Sequence, residues 1–547
     1  MIESWLFILL IWLAGVWFRT YRQARFYQIE EYMTRRYLRW LAARRERWLP
    51  TRPTAAWAAS LILIVMVFDA PGPLLAGVTG LAAALVAVWP PPESEIKKSF
   101  KATPRAQRLL GTAFAAEAAA ALAIGIILAR LPEVIELRFG LAMTGGLMLF
   151  VMAPLWLAIS NALMTPVESV FRRRFIEQAR QTLKAVRPTV IGITGSYGKT
   201  STKTYLAHIL NDRYKAYPTP KSYNTLMGVC LAINQDMAQD YSIEYFICEM
   251  GAYIPGEIER ICELAPPAIS VVVEVGPQHL ERFGSLENIA IAKYEIIKAL
   301  PSDGVGVFNW DNPHVRQMAE RGHPATRLTV SREVDPASAP DGDPRFVASD
   351  ILETLDGLSF TVTDRATAAS EVFVTPLLGL HNVTNLLLAT AVAVHEGMSL
   401  KDIARRVRTL QPAESRLARQ RTPQGITIIN DAYSANPVGV VHALRVLSMH
   451  QTGRRLLITP GMVELGPMME SENRKLGEIA AQHASDVILI GAHQTDPIRA
   501  GLLSAGFPPD RLVIADTLAE AVMWYQNHLS AGDTVLFLND LPDTYSS

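Results

Sequence analysis

Apolar positions fall into two regimes along the chain. Up to about residue 160 they form long, nearly unbroken runs: Trp5 to Phe18, then about 54–69, 72–90, 110–129 and 139–160. Runs of this length predict five membrane-spanning helices, the second and third joined by a tight turn at "DAPGP". The first run has the length of a signal-peptide core. However, no positive charge precedes it and "WLAGVWFRT" is a poor cleavage site, so it reads as an anchor. From residue 188 the apolar residues come in short β-branched bursts, "TVIGIT", "YFICEM", "AISVVVEV" and "VGVFNW". Stretches with helical spacing separate them at about 199–210, 255–264 and 286–300. That alternation predicts an α/β domain with mostly parallel strands, and 324–378 forms a strand-rich edge. A second α/β unit begins near 409, with strands "ITIIND", "RRLLITPG", "DVILIG", "RLVIA" and "TVLFL". The expected organisation is a membrane domain (1–165), a linker helix (166–187), a nucleotide-type α/β domain (188–408) and a second α/β domain (409–547).

Charge placement orients the membrane part. Residues 19–54 carry ten arginines against three acids, 91–109 is basic, and "FRRRF" follows the fifth run. Five spans put all these segments on one side, the cytoplasmic one, with the amino terminus outside and everything after 165 inside. The expected location is an inner (cytoplasmic) membrane. The piece from Arg19 to Trp48 interleaves arginine with aromatic residues, and two readings stay open: an interfacial helix against anionic headgroups, or a plain basic loop. The stretch 331–345 reads as the most flexible part of the chain. Glu117 is the only acid inside a clear span, so no ion path stands out. Net charge is zero, which gives no sign of a nucleic-acid partner. The three cysteines, Cys230, Cys248 and Cys262, have no metal spacing and read as buried thiols of a reducing compartment.

The segment "VIGITGSYGKTSTKTYLAHIL" is a strand, a glycine loop and a helix. It matches the phosphate-binding loop G-x-x-x-x-G-K-[ST] at Gly198, Lys199 and Thr200, but Ile193 stands where the first glycine would fall and Gly195 replaces it. Such a loop turns N–H groups and a helix amino end toward phosphate, with a lysine charge and a hydroxyl for Mg²⁺. Further groups are expected at the carboxyl ends of later strands. Glu249 and His279 stand there, and Lys293 follows; Glu274 reads as lying within its strand and less exposed.

These segments, together with "YNTLMGV", "EMGAYIPGEI", "GLHNVTNLLLATAVA", "SRLA", "IINDAYSANPVGV" and "GMVELG" in that order, resemble the Mur ligase family over about 188–547. Within it they resemble the branch that adds D-alanyl-D-alanine to a muramyl tripeptide. The resemblance implies a P-loop central domain, a Rossmann-like carboxyl-terminal domain, and an ATP- and Mg²⁺-dependent ligase working through an acyl phosphate. By the same resemblance Gly195, Ser196, Gly198, Lys199, Thr200 and Ser201 hold phosphate, and Asn382, Arg416 and Asp431 hold nucleotide, with Asn436 shaping the same loop. Thr200, Glu249 and His279 hold metal. Lys199, His279 and Lys293 are catalytic, Lys293 as a carbamate. Three features depart from the family pattern. Membrane helices stand where that branch has a UDP-gripping domain, Thr225 and Cys230 replace an asparagine and a proline, and no diaminopimelate-binding motif is evident. The expected partners are membrane lipids, an anionic or lipid-linked precursor carrying a carboxylate, and an amino-acid or dipeptide amine. Two other readings are a membrane-bound poly-γ-glutamate-type ligase and a non-catalytic ATP-binding scaffold. The second predicts loss of Lys199, Glu249, His279 or Lys293, and all four are present.

Overall fold

The structure is a computed structural model that describes residues 4–30, 32–66, 73–90, 100–132, 134–221, 223–335, 344–413, 415–433 and 435–539. The "DAPGP" turn up to Gly72, Lys97 and Lys98, most of 331–345 and the tail after Asn539 lie outside these residues. The chain divides into two compact units, one up to Arg173 and one from Arg174 onward.

The first unit is helical: α1 (Ser4–Ile29), α2 (Thr34–Ala42), α3 (Arg45–Trp48), α4 (Thr51–Met66), α5 (Pro73–Val88), α6 (Pro104–Arg130) and the start of α7 (Ile135–Val186). Among the described residues three helical stretches are long and apolar enough to cross a membrane: Trp5–Ile29, Pro104–Arg130 and Leu137–Val186. α4 and α5 each have 16 residues, about 24 Å at the helical rise and short of a ~30 Å hydrocarbon core. Both stop at the undescribed junction 67–72. The fifth apolar run and the 166–187 segment form one helix, α7, with Pro154 and Pro166 inside it. Trp12, Val16, Met143 and Phe150 form the centre of the bundle, with Trp12 edge-on to Phe150. The arginine-rich segment is not a plain loop. Tyr37 and Leu41 of α2 are buried, Trp40 stacks on Phe26 at 4.4 Å and Tyr37 meets Tyr27 edge-on at 4.6 Å. Aromatic spacing supplies the packing, and Arg35, Arg39, Arg44 and Arg45 are left exposed.

The second unit starts with the end of α7 and holds two sheets. The first is built from β1 (Thr189–Thr194), α8 (Lys199–Leu210), β2 (Ala216–Pro218), α9 (Leu226–Asp236), β3 (Tyr245–Glu249), α10 (Glu257–Leu264), β4 (Ile269–Val272), α11 (Leu280–Phe283), α12 (Leu286–Lys298), β5 (Val305–Asn309), α13 (Pro313–Glu320), β6 (Thr326–Ser331), β7 (Phe346–Thr354), β8 (Gly357–Asp364), β9 (Ala369–Thr375), α14 (His381–His395) and α15 (Leu400–Val407). Its strand order is β2-β3-β1-β4-β5-β6-β7-β8-β9. All pairs through β6–β7 are parallel, and β7, β8 and β9 close the edge as antiparallel hairpins. One core lies under α8 and α14, the other under α9, α10 and α12. Chain order reverses around β1, which pairs with β3 on one side and β4 on the other, so a crevice opens at the carboxyl end of β1.

The second sheet comprises β10 (Ala418–Arg421), β11 (Thr427–Asp431), α16 (Pro437–Ser448), β12 (Arg455–Thr459), α17 (Met469–His483), β13 (Asp486–Ile490), α18 (Ala492–Ser504), β14 (Leu512–Ala515), α19 (Leu518–His528) and β15 (Thr534–Leu538). The order is β10-β11-β15-β12-β13-β14, parallel except for β10. β10, with sequence "ARQR", and the three-residue β2 carry no alternation or apolar run for a sequence reading to find.

Candidate active site

The glycine loop sits between the buried end of β1 and the first turn of α8. Gly198 caps α8 in the left-handed region (φ 77°). A Cβ there would lie 2.5 Å from Asn385 Oδ1 and 2.7 Å from Val273 Cγ1, so glycine is required both for conformation and for space. At Gly195 a Cβ would come within 3.0 Å of Glu274 N. Ser196 pins the loop: its Oγ donates to Gly276 O (2.9 Å) and accepts from Gly276 N (3.0 Å). Lys199 Nζ donates to Gly195 O (2.6 Å) and Ser196 O (3.2 Å), closing the loop on itself. Burial pushes the Lys199 ammonium down to about 8, with Glu249 opposing that fall.

Glu249, at the end of β3, is buried in a net of donors. Thr200 Oγ1 lies 3.2 and 3.1 Å from its two oxygens, Asn224 Nδ2 donates to Oε1 at 3.1 Å, and Lys203 Nζ sits 2.9 Å from Oε2. Lys203 also donates to Lys221 O at 2.6 Å. Burial alone would raise the Glu249 carboxyl; the charges of Lys203 and Lys199 outweigh it and hold Glu249 below its ordinary value. Lys293, on α12, is buried with its ammonium 5.8 Å from the centroid of the Phe283 ring. Burial, reinforced by Lys199, holds it well below the usual lysine range.

His279 caps α11 in the left-handed region (φ 55°), edge-on to Tyr253 at 4.8 Å. Its Nδ1 pairs with Glu464 Oε2 of the second α/β domain, and Arg282 Nη2 donates to Glu464 Oε1 at 3.1 Å. A cavity of about 260 Å³ opens between the two domains beside Gly198 and Ser201. Tyr197, Glu274, Asn309, Asn312, Arg332, His381 and Asn385 line one side; Arg416, Asp431 and Asn436 line the other. Tyr197 Oη, Arg332 Nη1 and His381 Nδ1 are buried there without a hydrogen-bond partner among the described residues, so the cavity suits a polar ligand.

Residues 193–393 match the profile of the Mur ligase middle domain, and residues 415–539 that of the Mur ligase, glutamate ligase domain. The UDP-N-acetylmuramoyl-tripeptide--D-alanyl-D-alanine ligase of Escherichia coli is 31% identical over 327 residues, 60% of this chain and 70% of that protein. The chain belongs to the Mur ligase family. The Mycobacterium tuberculosis ligase of the same name is 36% identical over 311 residues, of which the match spans 58% of its length. Among solved structures, MurF from Acinetobacter baumannii aligns with a TM-score of 0.57 at 25% identity, over 67% of this chain and 77% of that one. The protein is thus an ATP-dependent, amide-bond-forming enzyme of the Mur ligase type, carrying long apolar helices at its amino-terminal end.

The Mur ligase fold places most of the residues singled out from sequence around one crevice, with two differences in detail. Asn382 is turned away from the cavity: its Nδ2 donates to Leu378 O (2.7 Å), and its Oδ1 accepts from Tyr205 Oη (3.0 Å) and Asn385 Nδ2 (3.1 Å). Asn385, three residues on, is the residue that faces Gly198. Glu274 is not within its strand. β4 ends at Val272, and Glu274 lines the cavity, held by Asn309 Nδ2 at 3.0 Å and by Asn312. Burial pushes Glu274 up to about 7 against those bonds. Arg416 stands 4.1 Å from the Tyr433 ring centre, between Ser415 and Leu417 in left-handed conformations. Burial raises Asp431 to about 6, and its Oδ1 accepts from Leu417 N at 3.2 Å. Two residues escaped the sequence reading. Lys203 looks like an ordinary helix lysine, and its signal is only its position one turn after Lys199. Glu464 sits in "GMVELG", a segment noted for its family pattern but not for any one side chain.

Among the described residues no group of three or more His, Cys, Asp or Glu side chains forms a metal cluster. Thr200 and Glu249 together offer the few oxygen ligands that Mg²⁺ takes when phosphate supplies the rest, so these residues fit that ion.

Proposed function

We propose that this Mur ligase joins an amino-acid or dipeptide amine to the carboxylate of a muramyl-peptide-type precursor at the cytoplasmic face of a membrane. The observation that carries this reading is the presence, in one chain, of a Mur ligase site and of helices long enough to cross a bilayer. The names of the relatives support the precursor class. The basic segments flanking the apolar runs support a cytoplasmic ligase part, an outer amino terminus, and membrane helices in place of a UDP-gripping domain.

In the first step an acceptor carboxylate oxygen bonds to the γ-phosphorus of ATP, the bond to the β–γ bridging oxygen breaks, and ADP leaves. In the second the amine nitrogen bonds to the acyl carbon, phosphate leaves, and the amine loses a proton. Lys199 exchanges loop carbonyls for phosphate oxygens, and the incoming charge keeps it protonated. Thr200 and Glu249 would hold Mg²⁺, which would neutralise phosphate charge. Burial disfavours the Lys293 ammonium, and its free amine would add to CO₂ with loss of a proton to give an anionic carbamate. Arg416, Asp431 and Asn436 close the second wall of the cavity and keep water from the acyl phosphate.

The test is phosphate release by the full chain in lipid nanodiscs with ATP and Mg²⁺, across lipid-linked and UDP-linked muramyl peptides and a panel of amines. Turnover that depends on one lipid-linked acceptor and one amine is expected. Stimulation only by soluble UDP-linked acceptors would remove the role given to the membrane part. Full activity of Lys293→Ala in CO₂-depleted buffer would remove the carbamate.

A further inference from the structure

The contact between His279 and Glu464 crosses from one α/β domain to the other. His279 begins α11 beside the crevice of the first sheet; Glu464 lies between β12 and α17 of the second. Both are non-glycine residues in the left-handed region, with φ of 55° and 62°. Such backbone persists where the surroundings over-determine it, and it clusters at working sites. The surroundings here do so. Glu464 Oε2 takes His279 Nδ1, its Oε1 accepts from Arg282 Nη2 at 3.1 Å, and its own carbonyl accepts from Glu281 N at 3.4 Å. Gly466 also lies against this seam, where a Cβ would make ordinary contact with Glu281 N at 3.4 Å. On the other face, Tyr253 meets the His279 ring edge-on at 4.8 Å and carries the Arg282 guanidinium at 4.1 Å. No hydrogen bond engages His279 Nε2 among the described residues.

We infer that Glu464 is a positioning residue for the ligase reaction, orienting His279 only when the two domains are docked. A carboxylate on one imidazole nitrogen fixes the ring's rotation and places the proton on that nitrogen. Nε2 is thereby left with its lone pair free to accept. Because that carboxylate belongs to the other domain, an open molecule lacks the constraint. The reaction centre is then assembled only in the state that also excludes water. Arg282 serves the same contact, neutralising Glu464 so that its charge is not left bare at the seam. The inference rests on His279 belonging to the reaction centre.

The experiment compares Glu464→Ala, Glu464→Gln, His279→Ala and the double variant Glu464→Ala/His279→Ala in the full chain. Three quantities are read: kcat and KM for ATP, Mn²⁺ affinity by electron paramagnetic resonance with a non-hydrolysable ATP analogue, and Tm. Glu464→Ala is expected to lower kcat and Mn²⁺ affinity by about 10–100-fold. KM for ATP should stay within about twofold, because the cavity itself is untouched. The double variant should be no worse than His279→Ala alone, since a residue acting through His279 has nothing left to position. Glu464→Gln keeps side-chain size and an acceptor oxygen, so it carries the test if the alanine variant unfolds, with a smaller loss in the same direction. Wild-type kcat and Mn²⁺ affinity in Glu464→Ala would overturn the proposal, as would losses that multiply in the double variant. Wild-type behaviour of His279→Ala alongside an inactive Lys199→Ala would overturn it together with the role given to His279. The Mn²⁺ measurement needs no acceptor, so it decides the matter even if the acceptor class proposed above is wrong.

Discussion

The two walls of the nucleotide crevice are built on opposite plans. Around the glycine loop and Glu249 of the first-domain wall the charges satisfy one another. Lys199 closes its own loop, and Lys203, Thr200 and Asn224 together saturate Glu249. On the second-domain wall the charged groups point outward: Arg416 and Asp431 face the cavity, and Glu464 finds its partners across the seam. The first wall is organised before anything binds; the second acquires its meaning on closure. A preorganised wall saves reorganisation at the moment of charge transfer, and a closing wall supplies water exclusion.

Variants should separate the two plans. Lys199→Ala removes the loop cation proposed to hold phosphate, and we expect kcat to fall by at least about 10³-fold in a phosphate-release assay. A loss smaller than that of any second-wall variant would break the contrast. Lys203→Met leaves Glu249 buried without its ion-pair partner, at a cost of about 3–5 kcal/mol. Thermal unfolding should register this as a Tm lower by roughly 10 °C, whereas the same test on Arg416→Ala should show almost no change. An unchanged Tm in Lys203→Met would mean that the first wall is not self-supporting. Arg416→Ala should lower kcat by about 10–100-fold while calorimetric ATP binding changes little, the mark of a group that acts on closure. The smallest effect is expected at Glu274. Its carboxyl, raised by burial to about 7 from an ordinary 4.5, binds an extra proton in the folded state between those values. Stability should therefore fall as pH climbs from 4.5 to 7, and Glu274→Gln should abolish that slope and raise Tm at pH 8 by roughly 2–4 °C.

What the sequence revealed follows the same division. The first wall was legible because its residues cluster locally: a loop with two glycines fixes Gly195 to Thr200, and Glu249 terminates an apolar strand. On the second wall Arg416 and Asp431 were legible only through the resemblance to a known family, and Glu464 was not singled out at all, since nothing in the local pattern marks these side chains. Lys203 was missed because a helix lysine gives no sign that it points inward; only the sheet stacked beneath α8 decides that. Asn382 and Asn385 are separated by less than one helical turn, and either could face the loop until the rotation of α14 is known. In the first unit, composition revealed the apolar helices. It could not reveal that the arginine-rich segment folds back through Tyr27, Tyr37 and Trp40, because that depends on pairing across α1 and α2.

The strand order of the second sheet bears on how the protein is made. β15 is the last described strand in the chain, yet it lies in the interior of the sheet, hydrogen-bonded to both β11 and β12. During translation the nine strands of the preceding sheet are complete once β9 has been synthesised. The later sheet stays split into two halves until β15 has been synthesised. The nascent chain thus passes through a stage at which all strands of the sheet carrying the glycine loop and Glu249 have been made while the covering sheet still lacks β15. The growing enzyme is exposed there to chaperones and proteases, and a premature stop shortly before β15 would strand it in that state.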